Sequence, residues 1–591
     1  MTFFRLDNKW LIWPLFLFLM AYAILRAWFV EPLFDELATL YWYIQTGYLP
    51  GRGATMDANN HILNSLISHQ FFQLFGDHFF VYRLFALLTF PIYFFSGRKL
   101  LLNVASPFSI LIFLALISVH WIFDYFSFSR GYGPSLAFLM LSFCFIQKWF
   151  ETKKNRFYLA VIFSFAAALL CNLSLLIPLI ILLFYLVLVS IIRAKQFTMR
   201  QLAGFWITTL CFMTFLVPVY IYINKLKKAG ALWWGSKDGF WEVTGKSISR
   251  NVFFTESITI KYLIIFFLIF VSAALIIRLK KTGFRNILTD VSWWIPFLFI
   301  AVLLSIVIST KLLDVNYPMD RVGMYLVPLF ILSMGFSIQN TQIFRWGLLA
   351  LLWFPLSFVL KMNLDTSVFS PEDRIHRSFY HKMLRKIPSD ATVSADYVSQ
   401  ASFAYLSRCE KIPHIATDYL AEDSMSRGDY HISWIEKLDW PGYSCILRDP
   451  VSGTRLYKRT VPLEKQLILD TVIPIIKSGN AVIPVLDIDL SSFTGKLVQT
   501  TINSKVQLDK YCLDLNLRHE TESQEGELRR TDNTRFNWYF GRKTTYQFHY
   551  PNHSFLVLPE DRVLHIRFHN DDHNSVNLSG IHVKILVVTK K

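Results

Sequence analysis

Charged residues are scarce in this chain of 591 residues, because Asp, Glu, Lys and Arg together make up 17% of it, against about 25% in soluble globular proteins. Glycine and proline are also uncommon, with 24 and 22 residues, which excludes collagen-like and low-complexity chains. Hydrophobic residues account for 53%. The composition therefore excludes a string of soluble domains and a disordered chain, and it indicates an integral membrane protein.

Cysteine is rare as well, and the six cysteines exclude a small disulfide-rich scaffold. None of them has the spacing of zinc ligands. Cys409 and Cys445 are candidates for a disulfide if their part of the chain lies in an oxidising compartment. The polar turn at 569–574 contains two His and two Asp residues, and we interpret it as a solvated loop tip rather than a metal site. We expect no cofactor, with a divalent cation as the alternative.

Long apolar runs dominate the first 360 residues. A helix needs roughly 20 residues to cross a bilayer, and about eleven runs approach that length, at 10–30, 80–96, 107–122, 132–149, 157–171, 175–192, 202–223, 257–277, 293–308, 323–338 and 343–360. The first run lacks a small-residue cleavage site, so we expect it to remain as a helix. The sequence thus predicts a polytopic α-helical membrane protein with about eleven transmembrane helices.

Basic residues fall mainly in alternate loops, which places the N-terminus in the cytoplasm. These residues are Arg98, Lys99, Lys148, Lys153, Lys154, Arg156, Arg193, Lys195, Arg278, Lys280 and Lys281. The loop 224–256 is an exception, because it falls outside and still carries six basic residues. It is either a solvated interfacial segment or a positive wall that faces an anionic lipid. Basic residues that flank membrane spans and attract anionic lipid head groups explain the net charge of +17. No nucleic-acid partner is therefore expected.

The composition changes near residue 361. We predict a transmembrane domain at 1–361, a small α/β domain at 362–460 and a jelly-roll-like β-sandwich at 461–591. The α/β domain is expected to contain a helix at 381–385, a strand at 391–395 and a helix at 400–407, and the sandwich strands at 546–550, 563–568 and 582–588. An odd number of spans places both soluble domains on the outer face.

Ionisable and polar residues gather just outside the predicted helices. Asp35 and Glu36 follow the first run, where charge beside hydrocarbon is costly and marks a candidate functional site. The alternative is a helix N-terminus stabilised by acidic side chains. Asn60 and His61 open an amphipathic stretch at 62–74, which we expect to form a helix along the membrane interface. A structural role for His61 is the alternative.

Two later loops carry further charges. Asp124 and Arg130 lie in an otherwise aromatic and apolar stretch that ends at Tyr132. Either charge costs about 3 kcal/mol at the centre of a membrane helix, so we expect the two to be paired or to face a cavity. Arg321 lies just outside the tenth run. Carboxylates and guanidiniums would converge if these helix ends are neighbours.

The order of these motifs resembles the GT-C superfamily of glycosyltransferases that use polyprenyl-phosphate sugars, in the branch of protein mannosyltransferases and lipid A aminoarabinose transferases. The resemblance covers about 10–360. Two features differ from the family pattern: a His-Pro-Pro type motif is replaced by Asn60-His61-Ile62, and the first outer loop has no Asp-x-Asp triplet. The motifs that carry the resemblance are Asp35-Glu36, Asn60-His61 with Leu74-Phe75-Gly76, Tyr82-Arg83-Leu84, Ser129-Arg130-Gly131-Tyr132 and Tyr317 to Arg321.

The resemblance implies an inverting glycosyltransferase that moves a sugar from a polyprenyl-phosphate donor to a hydroxyl of a lipid, glycan or protein at the outer face of a bacterial cytoplasmic membrane. Asp35 is the expected base, because the attacking hydroxyl must lose a proton. Glu36 or Asp124 would orient Asp35 or the acceptor. Positive charge is needed at the leaving phosphate, and the donor-binding candidates are Asn60, His61, Arg130, Tyr132 and Arg321.

Two other classes of protein stay open. One is a transporter or flippase for lipid-linked sugars, although transporters place their sites near the midplane and often show internal repeats. The other is a membrane-anchored protein whose β-sandwich binds glycans, although eleven spans exceed what an anchor needs. Purified protein offered a panel of polyprenyl-phosphate sugars distinguishes the three classes.

Overall fold

The computed structural model describes residues 6–50, 56–102, 108–232, 234–283, 288, 290–338, 342–388, 391–410, 417–418, 428–434, 442–461, 463–510, 515–541 and 543–590. The described helices, in chain order, are α1 (Lys9–Phe29), α2 (Phe34–Thr39), α3 (Ile62–Phe75), α4 (Phe79–Leu102), α5 (Ser109–Ile117), α6 (His120–Asp124), α7 (Tyr132–Thr152), α8 (Asn155–Cys171), α9 (Leu176–Ile192), α10 (Met199–Lys228), α11 (Lys246–Phe253), α12 (Ile258–Thr282), α13 (Val291–Leu313), α14 (Leu326–Ile338), α15 (Trp353–Leu360), α16 (Arg377–Leu384), α17 (Tyr397–Glu410) and α18 (Phe536–Phe540).

The described strands are β1 (Val393–Ala395), β2 (Thr417–Asp418), β3 (Tyr430–Ser433), β4 (Tyr443–Arg448), β5 (Arg455–Arg459), β6 (Leu463–Ile473), β7 (Ile476–Ser478), β8 (Val482–Asp489), β9 (Leu497–Leu508), β10 (Leu515–Ser523), β11 (Leu528–Arg535), β12 (Thr545–Leu556), β13 (Asp561–Asn570) and β14 (Val576–Lys590). The chain forms two compact units. The first contains Met1–Val30 and Gly47–Phe369, and the second contains Glu31–Thr46 and Ser370–Lys591.

Apolar helices build the first unit. Among the described residues, six helical segments are long and apolar enough to cross a membrane: Lys9–Phe29, Phe79–Leu102, Leu173–Ile192, Met199–Lys228, Ile258–Thr282 and Trp293–Leu313. Two shorter apolar helices are Asn155–Cys171 and Trp346–Leu360. The predicted helical, multi-pass character of this region is therefore confirmed, while the number eleven stays a prediction.

The predicted spans at 107–122, 323–338 and 132–149 are outside this set of six, and only the last of them forms one long helix. The run at 107–122 is divided between α5 and α6, because Val119 has extended backbone angles (φ −69°, ψ 104°). The run at 323–338 is represented by α14, with 13 residues. The run at 132–149 lies within α7, a helix of 21 residues. This helix packs between α4 and α8, and its buried Trp149 stacks on Phe205 at 5.4 Å between ring centroids.

Helix α3 confirms the predicted helix at 62–74. Its buried residues are the polar Asn64, Ser65 and Ser68 together with Phe72, while Leu74 and Phe75 are largely exposed. Such a distribution is typical of a helix whose apolar side faces lipid and whose polar side faces the protein. The helix ends at Gly76, whose φ of +89° lies in the region that favours glycine.

The second unit begins with a five-stranded sheet of order β2-β1-β3-β5-β4, in which β1 pairs in parallel with β2 and β3. Helices α16 and α17 and strand β1 match the elements predicted for the α/β region. The chain from β6 onward forms a sheet of order β11-β10-β13-β8 and a second of order β12-β9-β14-β6, with β7 paired to β14. Phe548 and Phe568 meet between the two sheets at 6.2 Å, as expected for a β-sandwich.

The segment Glu31–Thr46 belongs to the second unit, whereas the sequence placed it in a transmembrane domain at 1–361. Its contacts supply the reason. The Phe34 amide donates to the Asp373 carbonyl at 2.8 Å, and the Tyr41 hydroxyl donates to the Ala401 carbonyl at 3.3 Å. Tyr41 also stacks on Trp538 at 4.7 Å. Helix α2 and the π-helical turn Leu40–Ile44 are thus part of the fold of the second unit.

Candidate functional site

Arg130 is the centre of a buried polar cluster in the first unit. Its side chain is buried, and its Nη2 donates a hydrogen bond to Asn59 Oδ1. The guanidinium carbon lies 5.8 Å from the centroid of the Tyr132 ring, a cation–π distance. The His61 ring packs against the same ring in a T-shaped arrangement, with 4.5 Å between centroids. The structure therefore brings together three of the predicted donor-binding residues and adds Asn59.

A backbone carbonyl fixes the orientation of His61. The ring nitrogen Nδ1 lies 2.6 Å from the Cys171 carbonyl, so Nδ1 carries the proton that is donated. In the neutral ring, Nε2 is then the acceptor nitrogen. Asn60, beside it, donates to the Leu49 carbonyl and accepts from Ser65 Oγ at 2.9 Å. The side chains at the start of α3 are thus held by hydrogen bonds before any ligand arrives.

Gly131 permits the close approach of the three segments that form this cluster. A Cβ atom at this position would lie 2.1 Å from the Cys171 carbonyl oxygen and 2.7 Å from His61 Cβ. Its backbone angles are ordinary (φ −74°, ψ −6°), so the requirement is for space rather than for an unusual conformation.

We expect Gly131→Ala to move His61 away from Arg130 and to lower the free energy of unfolding by about 1–3 kcal/mol, the usual range for overpacking. The measurement is the melting temperature in detergent, with donor turnover measured in parallel. Gly347→Ala is the matched control, because a Cβ atom there would meet nothing within 4 Å. Equal melting temperatures for the two variants would contradict the close packing described for Gly131.

Asp124 is paired with a residue that the sequence analysis did not select. Its Oδ1 lies 2.8 Å from Arg26 Nη2, and His120 Nδ1 lies 3.2 Å from the same oxygen. Ser367 Oγ donates to Oδ2 at 3.3 Å. The predicted pairing of Asp124 is therefore observed, but with Arg26 of α1 rather than with Arg130. A lone arginine in an apolar helix is the sequence signal that points to such a pair.

Removing Arg26 should leave the buried carboxylate of Asp124 without its arginine partner. We expect Arg26→Met to lower the free energy of unfolding by about 3–5 kcal/mol, as observed when one partner of a buried ion pair is removed. The double variant Arg26→Met/Asp124→Leu should recover part of the loss, because it removes the unpaired charge as well. Thermal unfolding of the three proteins in detergent tests this. A double variant less stable than Arg26→Met would show that the ion pair is not the cause.

Arg83, which belongs to one of the motifs that carry the resemblance, makes contacts typical of a structural residue. Its Nη1 donates to the carbonyls of Ala27 at 3.0 Å and Val30 at 2.7 Å. These carbonyls belong to the last turn of α1 and its end, where backbone acceptors lack helical partners. Arg83 therefore caps α1 at the point where the chain leaves the first unit.

Asp35 and Glu36 lie in the first turn of α2, in the second unit. Glu36 is fully buried, and its Oε2 accepts from the Leu33 amide at 3.2 Å. This is the capping contact that the alternative interpretation of the acidic pair predicted. Asp35 is only half-buried. The contacts thus separate the two carboxylates, with Glu36 capping the helix and Asp35 remaining the better candidate base.

Arg321 lies in a different environment from Arg130. Its guanidinium carbon is 5.4 Å from the Trp234 ring centroid, in the loop 224–256. Asp320, beside it, accepts from Arg250 at 2.9 Å and from Asn251 at 3.2 Å. The loop 224–256 is not simply a positive wall, because other basic residues in it form ion pairs: Lys237 with Asp314, and Lys246 with Glu242.

The cysteine and metal predictions concern the second unit. Cys409 and Cys445, both within the described chain, are not joined by a disulfide. Cys512 lies outside the described residues. Over the part of the chain that the structure describes, there is no group of three or more His, Cys, Asp or Glu residues placed to hold a metal ion. His569, near the end of β13, contacts Glu520 at 3.4 Å.

The chain is similar to solved structures of two glycosyltransferases. ArnT from Cupriavidus metallidurans, bound to undecaprenyl phosphate, is 8% identical over 76% of this chain and 98% of its own, with a TM-score of 0.47. The apo form of ArnT is 10% identical over 75% of this chain and 97% of its own, with a TM-score of 0.45.

The arabinosyltransferase EmbB from Mycobacterium smegmatis is 10% identical over 98% of this chain and 64% of its own, with a TM-score of 0.34. No protein-family model and no curated protein sequence matches the chain. ArnT, an aminoarabinose transferase, and the arabinosyltransferase EmbB are both GT-C glycosyltransferases.

Proposed function

We propose that this protein is a membrane glycosyltransferase that moves a sugar from a polyprenyl phosphate to a hydroxyl group. The observation that carries the proposal is the buried cluster of Arg130, His61, Tyr132 and Asn59. A fixed cation beside an oriented imidazole and a phenol ring matches the phosphate of an anionic donor. A buried charge in a membrane protein marks a candidate functional site.

The charge that develops on the departing phosphate determines which side chains the site needs. The sugar of the donor is joined to the lipid through a phosphodiester, and attack at the anomeric carbon breaks the bond between that carbon and a phosphate oxygen. Polyprenyl phosphate departs with the electron pair and gains negative charge, so a nearby cation stabilises the transition state more than the ground state. Arg130 supplies this charge, with Asn60, His61 and Tyr132 around the donor. Arg321 is proposed to assist from the loop at 317–321.

The acceptor hydroxyl forms the new bond to the anomeric carbon and must lose its proton during the attack. Asp35 is the proposed base. Glu36 holds α2 in place through its contact with the Leu33 amide, and Asp124 maintains the fold around Arg26. One direct displacement inverts the anomeric centre, unlike the double displacement of a retaining enzyme. In this proposal side-chain cations, with Arg130 first among them, neutralise the leaving phosphate, and a divalent cation is the alternative.

The proposed location is a bacterial cytoplasmic membrane. About eleven spans with a cytoplasmic N-terminus would place both soluble regions outside, where they would meet a lipid, glycan or protein acceptor. The apolar helices support a multi-pass membrane protein, and the alternate basic loops support this orientation. The sugar is a hexose or a pentose.

A donor panel tests the proposal. Purified protein in lipid nanodiscs is offered polyprenyl-phosphate sugars with radiolabelled glycans, lipids and peptides as acceptors. We expect one donor to release polyprenyl phosphate in equal amount to the sugar transferred, with the anomeric configuration inverted. Movement of an unchanged donor across a sealed vesicle, with no bond broken, would instead identify a flippase. Sugar binding by the isolated β-sandwich without donor turnover would identify an anchored glycan-binding protein.

A further inference from the structure

Arg535, the last residue of β11, lies against two indole rings within the second unit. Its guanidinium carbon is 6.0 Å from the centroid of the Trp42 ring and 5.6 Å from that of the Trp538 ring. Both are cation–π distances. Trp42 belongs to the π-helical turn Leu40–Ile44 and Trp538 to α18, so two elements that are distant in sequence hold this cation in place.

The donor groups of this cluster have no acceptor among the residues that the structure describes. Within those residues, Arg535 forms neither a hydrogen bond nor an ion pair. The Nε1 atoms of Trp42 and Trp538 are buried and, in the same described ranges, donate to no acceptor. Trp538 is only 4% exposed. A buried N–H group without an acceptor destabilises a fold, so two of them beside a cation indicate a site that a ligand rich in acceptor atoms completes.

The chemistry of these donors favours an anionic ligand. A guanidinium binds a carboxylate or a phosphate through two parallel N–H bonds, whereas an indole nitrogen can only donate. Arg535 is half-buried, so a ligand can reach it while the two rings shield its charge from water. Such shielding strengthens a contact between opposite charges.

A line of aromatic rings joins this cluster to the helix that carries the proposed base. The Trp538 ring lies 6.5 Å from the Tyr397 ring, and Tyr397 lies 5.2 Å from Phe34, both measured between centroids. Phe34 directly precedes Asp35 in the first turn of α2. Tyr397 is 40% exposed, and an exposed ring can pack on the apolar C–H face of a sugar. None of the described candidate membrane spans lies in the second unit, which favours a glycan over a lipid.

We propose that Arg535, Trp42 and Trp538 bind an anionic group, a carboxylate or a phosphate, of a glycan acceptor. Tyr397 packs on a sugar of the same acceptor and directs it towards Asp35. This inference rests on the proposed function, which supplies the acceptor, and it narrows the acceptor to an acidic glycan. An arginine that only packed the π-helical turn against α18 would give the protein no preference for charge.

Oligosaccharides of different charge test the site. Trigalacturonic acid, pentamannose phosphate and neutral mannopentaose are titrated by calorimetry into the full-length protein in nanodiscs. We expect wild-type protein to prefer an acidic probe, and Arg535→Gln to raise Kd for that probe by about 10- to 100-fold while Kd for mannopentaose stays within about twofold. Arg562→Gln is the matched control and should match wild type, because Arg562 is an exposed arginine of β13 in the same unit.

Trp538→Phe provides a second variant, because it keeps an aromatic ring and removes the indole N–H. It should raise Kd for the acidic probe by about two- to tenfold, as expected for one hydrogen bond. Preference for trigalacturonic acid identifies a carboxylate, and preference for pentamannose phosphate identifies a phosphate. If either preference depends on Arg535 while no donor is turned over, the proposed function fails and the anion site stands.

Three results would overturn the inference. The first is wild-type protein that binds no acidic probe more tightly than mannopentaose. The second is a folded Arg535→Gln protein, or a folded Trp538→Phe protein where Arg535→Gln does not fold, with unchanged affinity for the acidic probe or with equal losses for the acidic and neutral probes. The third is weaker binding of undecaprenyl phosphate by Arg535→Gln with unchanged glycan binding, which would place Arg535 at the donor instead.

Discussion

Arg130→Gln should lower kcat/KM for the lipid-linked donor by about 10²- to 10³-fold, the loss typical when one electrostatic contact to a developing charge is removed. Arg130 is buried beside Asn59, His61 and Tyr132, so water cannot readily replace its charge at the departing phosphate. Glutamine keeps an amide that can donate to Asn59, which limits the structural consequence of the change. Steady-state assays with varied donor, on protein of confirmed melting temperature, measure the effect.

The matched control is Arg156→Gln. Arg156 is exposed, and its guanidinium carbon lies 4.9 Å from the centroid of the Phe157 ring, so its loss should leave kcat/KM within about twofold of wild type. Arg130→Lys should retain part of the activity, because lysine keeps the charge but not the planar donor geometry. Wild-type activity in a folded Arg130→Gln protein would remove Arg130 from the donor site.

Asp35→Asn should reduce sugar transfer by about 10²- to 10⁴-fold, the range for loss of a general base. The substitution removes the proton acceptor at almost constant volume, so α2 should remain folded. Asp509→Asn is the control in the same unit, because Asp509 is exposed and its Oδ1 accepts only a local bond from the Lys510 amide among its described side-chain contacts. Donor binding should be unchanged in Asp35→Asn, which separates loss of the base from loss of the site.

Glu36→Gln should be milder, because a glutamine oxygen can still accept the bond from the Leu33 amide. Its expected signature is a lower melting temperature with a modest loss of turnover. If Glu36→Gln abolishes transfer in folded protein while Asp35→Asn retains it, the roles of the two carboxylates must be exchanged.

The helices were the most predictable part of the fold, because apolar composition and helical spacing depend only on local sequence. The stretch at 62–74 formed α3, and its polar residues Asn64, Ser65 and Ser68 are buried on the side away from the exposed Leu74. The break at Val119 was not predicted. A residue with ordinary propensity can adopt an extended conformation when tertiary contacts favour it, and hydrophobicity carries no signal of this.

Long-range contacts limited the prediction of the site. The sequence indicated that Arg130 and His61 share one region, and the structure places both against Tyr132. The role of the Cys171 carbonyl was missed, because every residue has a carbonyl and its accessibility depends on the fold. The partner of Asp124 was missed for a similar reason, since Arg26 lies far away in sequence.

The assignment of segment 31–46 to the second unit also depends on distant residues. Its contacts with Asp373, Ala401 and Trp538 join positions separated by hundreds of residues. Proximity to the first apolar run was therefore a poor guide to which compact unit would contain Asp35. Charge near a membrane identified a candidate residue, but the fold determined its neighbours.

Phosphorus NMR of a complete reaction tests the proposed transfer most directly. Wild-type protein in nanodiscs, supplied with polyprenyl-phosphate sugars and a membrane extract as acceptor, should convert the phosphodiester signal of one donor into the monoester signal of polyprenyl phosphate. The same mixture with Arg130→Gln should retain the diester over that time. Persistence of every diester with folded wild-type protein, or equal conversion by Arg130→Gln, would contradict sugar transfer at the Arg130 cluster.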